Sequence, residues 1–436
     1  DRFAAFHANA HYTFDRRYSI DATFRYDGSN ALGASTSARW LPTWNFGAKW
    51  IISNEQFMEN VGLINSMGLR VSYGLNATMP PTVNSRAVYY ASTSFAPGYA
   101  QNIIDLNKLA NINLTWEKSY MFNAGFDISI LNDRLSLYID YFRRNSFDLI
   151  DMIKTSGIGG EMFKNANYAD LKSQGVDITL GGKPVSTKDW TLAMNFTFGY
   201  ATNVIKNAKN LPQIYELVRS QGGNKNDYAV NSLFSIPFAG LDPKTGIPLF
   251  YQPDGSIGMD ANMQSQDTDY LVYEGQVDPK FTGGLNTTLR WKSLSMNIFF
   301  SYQWGNVVRL NPIFRRNNTD LDAMSLALKD RWMNTGDEKT TNIPSLVDDV
   351  GSHVNDLTSV YPYINYNYSD VRVAKGDFIR LKSLSINHDL PGEWLQKTKV
   401  FRSASVRVTG KDLWLLYSDK KLNGQDPEFY NTGGVA

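Results

Sequence analysis

The sequence predicts an all-β protein, a transmembrane antiparallel β-barrel with about twelve or more strands in this chain. Three observations lead there. Apolar residues recur with a period of two, the alternating segments are long, and the connections between them alternate between short and long. The composition fits the same class: Tyr 24, Phe 24 and Trp 10 in 436 residues, at a mean hydropathy of only −0.34. Averaging a lipid-facing row with a water-facing row, and adding large polar loops, yields such a value.

The alternation repeats along the chain. In residues 120–129, Tyr120, Phe122, Ala124, Phe126 and Ile128 form one row, and Asn123, Gly125, Asp127 and Ser129 form the other. Leu135, Leu137, Ile139 and Tyr141 continue the pattern, as do Leu192, Met194, Phe196, Phe198 and Tyr200. Near the start, Tyr18, Ile20, Ala22, Phe24 and Tyr26 oppose Ser19, Asp21, Thr23, Arg25 and Asp27. The pattern predicts strands over residues 3–14, 17–27, 39–50, 69–75, 114–129, 134–145, 173–182, 189–202, 280–291, 293–304, 377–389 and 404–415. Most run about 9 to 12 residues, enough for the roughly 9 to 11 that a tilted membrane strand needs, against about 5 or 6 for an ordinary soluble strand.

Tight turns fall at Asp15 and Arg16, at residues 131–133, at residues 184–188 and at Lys292. Long polar stretches occupy residues 76–113, 146–172, 203–279 and 305–376, while 51–68 and 390–403 are intermediate and fall in the short series. Every second connection therefore lies on one side of the sheet, as in outer-membrane barrels with short periplasmic turns and long external loops. Tyr12, Phe14, Tyr18, Trp190, Trp291 and Trp394 lie near the short connections, where amphipathic rings form a headgroup-level girdle.

Other classes are set aside on simple grounds. Lys+Arg 43 against Asp+Glu 42 leaves a net charge of +1, no field for nucleic acid, and Cys 0 removes disulfides and thiolate sites. No run reaches the roughly 18 apolar residues of a membrane helix. His7 and His11 share a strand face about 13 Å apart, too far for one metal. Asp267 and Asp269 suit Ca²⁺ by type, but the spacing of a calcium loop is missing and a solvated loop is the plainer reading. No catalytic set, metal or cofactor is expected. Tyrosines beside amide side chains in YPYINYNY (Tyr361, Tyr363, Tyr366, Tyr368), with Tyr89 and Tyr90, suit stacking on sugars or hydrogen bonding to peptide backbone; alternatively they pack the long loops together.

LTWEKSYMFNAGFDISILNDRLSLYIDYF (residues 114–142) resembles the W-E-x5-N-x-G-x-D-x6-R-L stretch of TonB-dependent outer-membrane transporters, in particular the SusC/RagA family. NYADLKSQGVDITLGGKPV (167–185), FAGLDPKTGIPLFY (238–251), RWMNTGDEKTTNIPSL (331–346), GDFIRLKSLSINHDLP (376–391) and VRVTGKDLWLLY (406–417) look like the same family in the same order. The resemblance implies a barrel of about 22 strands with a plugged lumen, a SusD-like lipoprotein lid, energy from TonB, outer-membrane lipid around the wall, and oligosaccharide or peptide cargo. On that reading residues 1–436 are part of one barrel in the outer membrane of a Gram-negative bacterium. The N-terminal plug, TonB box and terminal strand are expected outside this chain, because Asp1 opens almost directly on a strand and residues 430–436 follow one that lacks a returning partner. The alternatives are another outer-membrane barrel, either a siderophore-type receptor or a porin, and a secreted all-β glycan-binding protein.

Overall fold

The computed structural model describes residues 2–80, 85–96, 99–154, 163–209, 211–259, 261–314, 325–346, 362–392, 394–395 and 400–428. Twelve strands form one antiparallel sheet, each beside its neighbour in sequence. They are β1 (Phe3–Phe14), β2 (Tyr18–Ser29), β3 (Trp40–Ile51), β4 (Ile64–Thr78), β5 (Glu117–Ile130), β6 (Leu135–Lys154), β7 (Phe163–Ser186), β8 (Trp190–Lys206), β9 (Phe281–Trp291), β10 (Leu294–Trp304), β11 (Phe378–Asp389) and β12 (Ser405–Ser418). All twelve expected strands are present in the expected order.

Register joins the rows read from single strands into bands. Tyr12, Ile20, Ala48, Val71, Ala124, Tyr141, Val176 and Tyr200 are successive cross-strand partners from β1 to β8. One rung away, Thr13, Ser19, Lys49, Arg70, Gly125, Asp140, Asp177 and Gly199 form the corresponding line of the other face. A side-chain period of two allows this only if every register is correct, because a slip of one residue inverts a strand.

The tight turns are made by residues other than glycine. Asp15 and Arg16 both have positive φ, 48° and 54°, and Arg17 N–H donates to Phe14 C=O at 3.0 Å. That is the turn whose twist matches the flanking strands. Leu131, Asn132, Asp133 and Lys292 also have positive φ.

On β3, Trp40 and Trp50 lie on the same face ten residues apart. Trp40 stacks on Tyr26 at 5.0 Å and Trp50 on Tyr18 at 6.4 Å, and Trp190 stacks on Trp291 at 5.6 Å. Ten residues rise roughly 33 Å along a strand. At a tilt of about 40° this is about 25 Å along the membrane normal, the height of the apolar band between two aromatic girdles.

The connections hold more regular structure than the sequence predicts. β6 and β7 keep pairing as far as Lys154 opposite Phe163, past irregular register between Ser146 and Ile150, where Asp148 has φ 60°. Most of the expected loop 146–172 is therefore hairpin, since continued pairing satisfies backbone groups even where the apolar alternation has ended. In 76–113, Val88–Ala96 pairs with Tyr99–Lys108. β7 runs on to Ser186, so the turn expected at 184–188 moves to residues 187–189.

Two compact units are distinguished: Asp1–Asn210 with Leu285–Asn297 and Ser385–Val408, and Leu211–Gly284 with Ile298–Leu384 and Thr409–Ala436. The second has a closed core of its own, built from the long connections. Ile214, Leu217, Val218, Phe234, Ile236, Phe250, Leu271, Ile313, Phe314, Leu328, Tyr363 and Tyr366 pack there. No helix among the described residues is long and apolar enough to cross a membrane.

Candidate functional site

The polar face of the first unit is built around Arg70. Its guanidinium holds Asp127 on the adjacent strand β5 at 2.7 Å and both oxygens of Asp140 on β6, two strands away, at 2.7 and 2.8 Å. The second reach depends on what lies between. A Cβ at Gly125 would sit 2.3 Å from Arg70 Nε and 2.6 Å from Asp140 Oδ1, so only glycine leaves room for the pair to close over β5. Gly125 and Asp127 are the glycine and aspartate of the N-x-G-x-D stretch, which thereby gains a physical reason.

The rung through Arg70 is dipolar. Lys49 precedes it on β3, and Asp140 is followed by Asp177 on β7. Lys49, Arg70 and Asp140, with Asp21, Asn45, Ser72 and Asn123, surround a concavity of about 410 Å³. Both charge signs, amides and hydroxyls in one open wall suit hydrogen bonding to a polar solute. Beside it, His11 Nδ1 meets Asp21 Oδ1 at 2.5 Å and His11 Nε2 meets Thr13 Oγ1 at 3.0 Å. His11 is 62 % exposed, whereas a proton-relay triad works around a buried carboxylate.

The expected tyrosines divide. Tyr363 and Tyr366 are buried in the core of the second unit, where the Tyr363 hydroxyl and Ser345 Oγ share a hydrogen bond of 3.1 Å. Burial pushes the Tyr366 hydroxyl up to about 12. Tyr368 packs against the same core, and Tyr361 lies outside the described residues. Tyr366 also borders a concavity of about 490 Å³ with Asn311, Asp330, Arg372 and Gln425. Tyr89 and Tyr90, 62 % and 58 % exposed, belong to the first unit; as successive strand residues they point to opposite faces of their hairpin.

Several motif residues prove to be structural ties. Trp116 is buried with Leu32 and Leu114, and its indole N–H donates to Arg39 C=O. Glu117 accepts from Ile150 N–H at 2.8 Å, and the Asn167 side chain both accepts from Thr115 N–H and donates to Thr115 C=O. In the second unit Gly246, at φ 70°, lies under the Trp332 ring, and Ser345 N–H donates to Gly246 C=O. The DPKTG and RWMNTGDE stretches thus meet in space. Arg309, fully buried, donates to Ser235 Oγ and to the carbonyls of Phe234 and Ser369; burial lowers its pKa to about 10. Asp269 pairs with Lys225 at 3.0 Å, and no cluster of three metal-ligating side chains occurs among the described residues.

Sequence reasoning did not single out Arg70, Lys49, Asp140 or Asp177. The only local signal was Gly125 between Asn123 and Asp127 in the polar row, because the partners come from strands up to 70 residues away.

A long-stranded antiparallel meander with one continuous apolar face and one charged face defines the wall of a membrane β-barrel. The chain belongs to the TonB dependent receptor-like β-barrel family, whose profile matches residues 1–232. It is 24 % identical over 445 residues to a TonB-dependent receptor of Formosa agariphila, covering 96 % of this chain and 41 % of that protein. It is likewise 24 % identical over 444 residues to TonB-dependent receptor SusC of Bacteroides thetaiotaomicron, covering 96 % of this chain and 40 % of that one. In structure it is similar to the RagAB peptide transporter at a TM-score of 0.77 and 24 % identity, over 98 % of this chain and 44 % of that one. The chain therefore spans well under half the length of these relatives.

Proposed function

We propose that this chain forms part of the wall of a plugged outer-membrane transporter in a Gram-negative bacterium. It imports oligosaccharides or peptides with energy from TonB, beneath a SusD-like lipoprotein lid, and it is a transporter rather than an enzyme. The observation that carries this reading is the two-faced sheet: an apolar line from Tyr12 to Tyr200 backed by the line containing Lys49, Arg70, Asp140 and Asp177. A wall that is greasy outside and charged inside separates lipid from a solute path. The plug and the TonB contact are assigned to parts of the receptor beyond this chain. RagAB, described as a peptide transporter, is the structural neighbour that suggests the peptide class.

Uptake of labelled oligosaccharides and peptides by cells carrying the full-length receptor tests the proposal. Uptake is expected to vanish on deletion of the gene and on collapse of the proton gradient, and a surface lipoprotein is expected to co-purify with the tagged receptor. Uptake that survives a protonophore would identify a porin, and selective uptake of ferric chelates a siderophore receptor; either result refutes the reading.

A further inference from the structure

The apolar face of the first unit carries a cation where its row leaves the bilayer. Along β6, Leu135, Leu137, Ile139 and Tyr141 are followed on the same face by Arg143 and Asn145, which stand opposite Phe122 and Tyr120 of β5. On β7, Arg143 faces Gln174 and Asn145 faces Lys172. Arg143 and Lys172 are thus diagonal neighbours, about 7 to 8 Å apart. Both are exposed, and neither has an ion pair or a side-chain hydrogen bond among the described residues.

The surroundings form a site rather than a bare surface. Tyr73, Tyr120, Phe122, Tyr141, Arg143 and Asn145 line a concavity of about 480 Å³. Tyr73 stacks on Tyr120 at 6.0 Å, and Tyr120 on Phe147 at 5.6 Å. Asn145 Oδ1 is buried there without a hydrogen-bond donor among the described residues. Arg143 lies eight residues past Leu135, roughly 20 Å along the normal at a tilt of about 40°. That is the level of the belt on the long-loop side, where a long cationic side chain turns its head toward the headgroups. Two unpaired cations, a cup of rings and an unused acceptor match a headgroup with a phosphate and a neighbouring hydroxyl.

We propose that this concavity binds the phosphorylated headgroup of an outer-leaflet lipid. Arg143 and Lys172 hold the phosphate oxygens, the rings pack on the headgroup and upper acyl chain, and Asn145 Oδ1 accepts from a hydroxyl. The site rests on the membrane-spanning reading of the sheet and is independent of the cargo.

The test uses the full-length receptor, delipidated in detergent, with phosphatidic acid, diacylglycerol of the same chains and inorganic phosphate as probes, read by native mass spectrometry. Phosphatidic acid is expected to bind, and Arg143→Gln with Lys172→Gln to weaken it tenfold or more. Arg143→Lys, which keeps the charge, and Arg144→Gln, on the opposite face, are expected to bind it as the parent does. Heat-modifiable gel mobility reports assembly of each variant. Undiminished binding by the double variant, equal weakening by Arg144→Gln, or equal binding of diacylglycerol overturns the proposal; binding of inorganic phosphate alone assigns the site to a free anion and overturns it too. Failure of the parent receptor to assemble in a bilayer would instead refute the spanning reading.

Discussion

Arg70 reaches Asp140 only because Gly125 has no side chain, so the charge pairing of the polar wall depends on one missing carbon. Gly125→Ala is expected to push the guanidinium off Asp140 and to cost about 1 to 3 kcal/mol, the range for overpacking a fitted site. The midpoint of urea unfolding in lipid vesicles measures it. In the Asp140→Ala background the penalty should shrink, since the pair that the added methyl would disturb is already gone. The two faces predict a second contrast. Ile139, between Phe126 and Ile178, and Phe196, opposite Leu180, lie in the apolar band, whereas Asn195 lies opposite Gly181 on the other face. Arginine at Ile139 or Phe196 should cost about 2 to 4 kcal/mol near mid-bilayer, and Asn195→Arg should be milder. Equal assembly yields for all three variants would contradict the assignment of faces.

Among the elements, the short connection after β3 shows how a girdle is anchored. Glu55 Oε1 accepts from the Tyr18 hydroxyl at 2.5 Å and from Trp50 Nε1 at 2.9 Å, and Arg17 Nη1 lies 3.3 Å from Oε2. The Tyr18 hydrogen bond, then that of Trp50, holds the Glu55 carboxyl below its ordinary value of 4.5 against the opposing effect of burial. A carboxylate lowered in the fold stabilises it above the unfolded pKa, and that contribution is lost as pH falls through the folded one. Tryptophan emission is therefore expected to show an acid transition below about pH 4.5 that disappears in Glu55→Gln. Elements were legible in the sequence wherever period two was uninterrupted, which is why β1 to β12 appear in order. The outer parts of β6 and β7 were not, because pairing around Asp148 satisfies backbone groups without an apolar row to announce it. The clustering of Tyr363, Tyr366 and Tyr368 was legible only as the alternative that these tyrosines pack the long loops together; the core drawn from residues 214–371 that gathers them was not.

For the molecule as a whole, the class was legible because a sheet between lipid and water must be amphipathic at every strand. The polar wall was not, because Lys49, Arg70, Asp140 and Asp177 become neighbours only after four registers are fixed. The distance between the rings at the two ends of β3 has a further meaning. Trp40 and Trp50 act as a caliper set by the chain itself, and the gap between them decides which bilayers the protein tolerates. A hydrocarbon layer thicker than the band costs fractions of a kcal/mol for each ångström of mismatch, or must thin around the wall. In synthetic bilayers of increasing acyl length, resistance to unfolding should peak near a core of about 25 Å and decline as the chains lengthen. The preferred membrane thickness is then written in the spacing of two tryptophans on one strand.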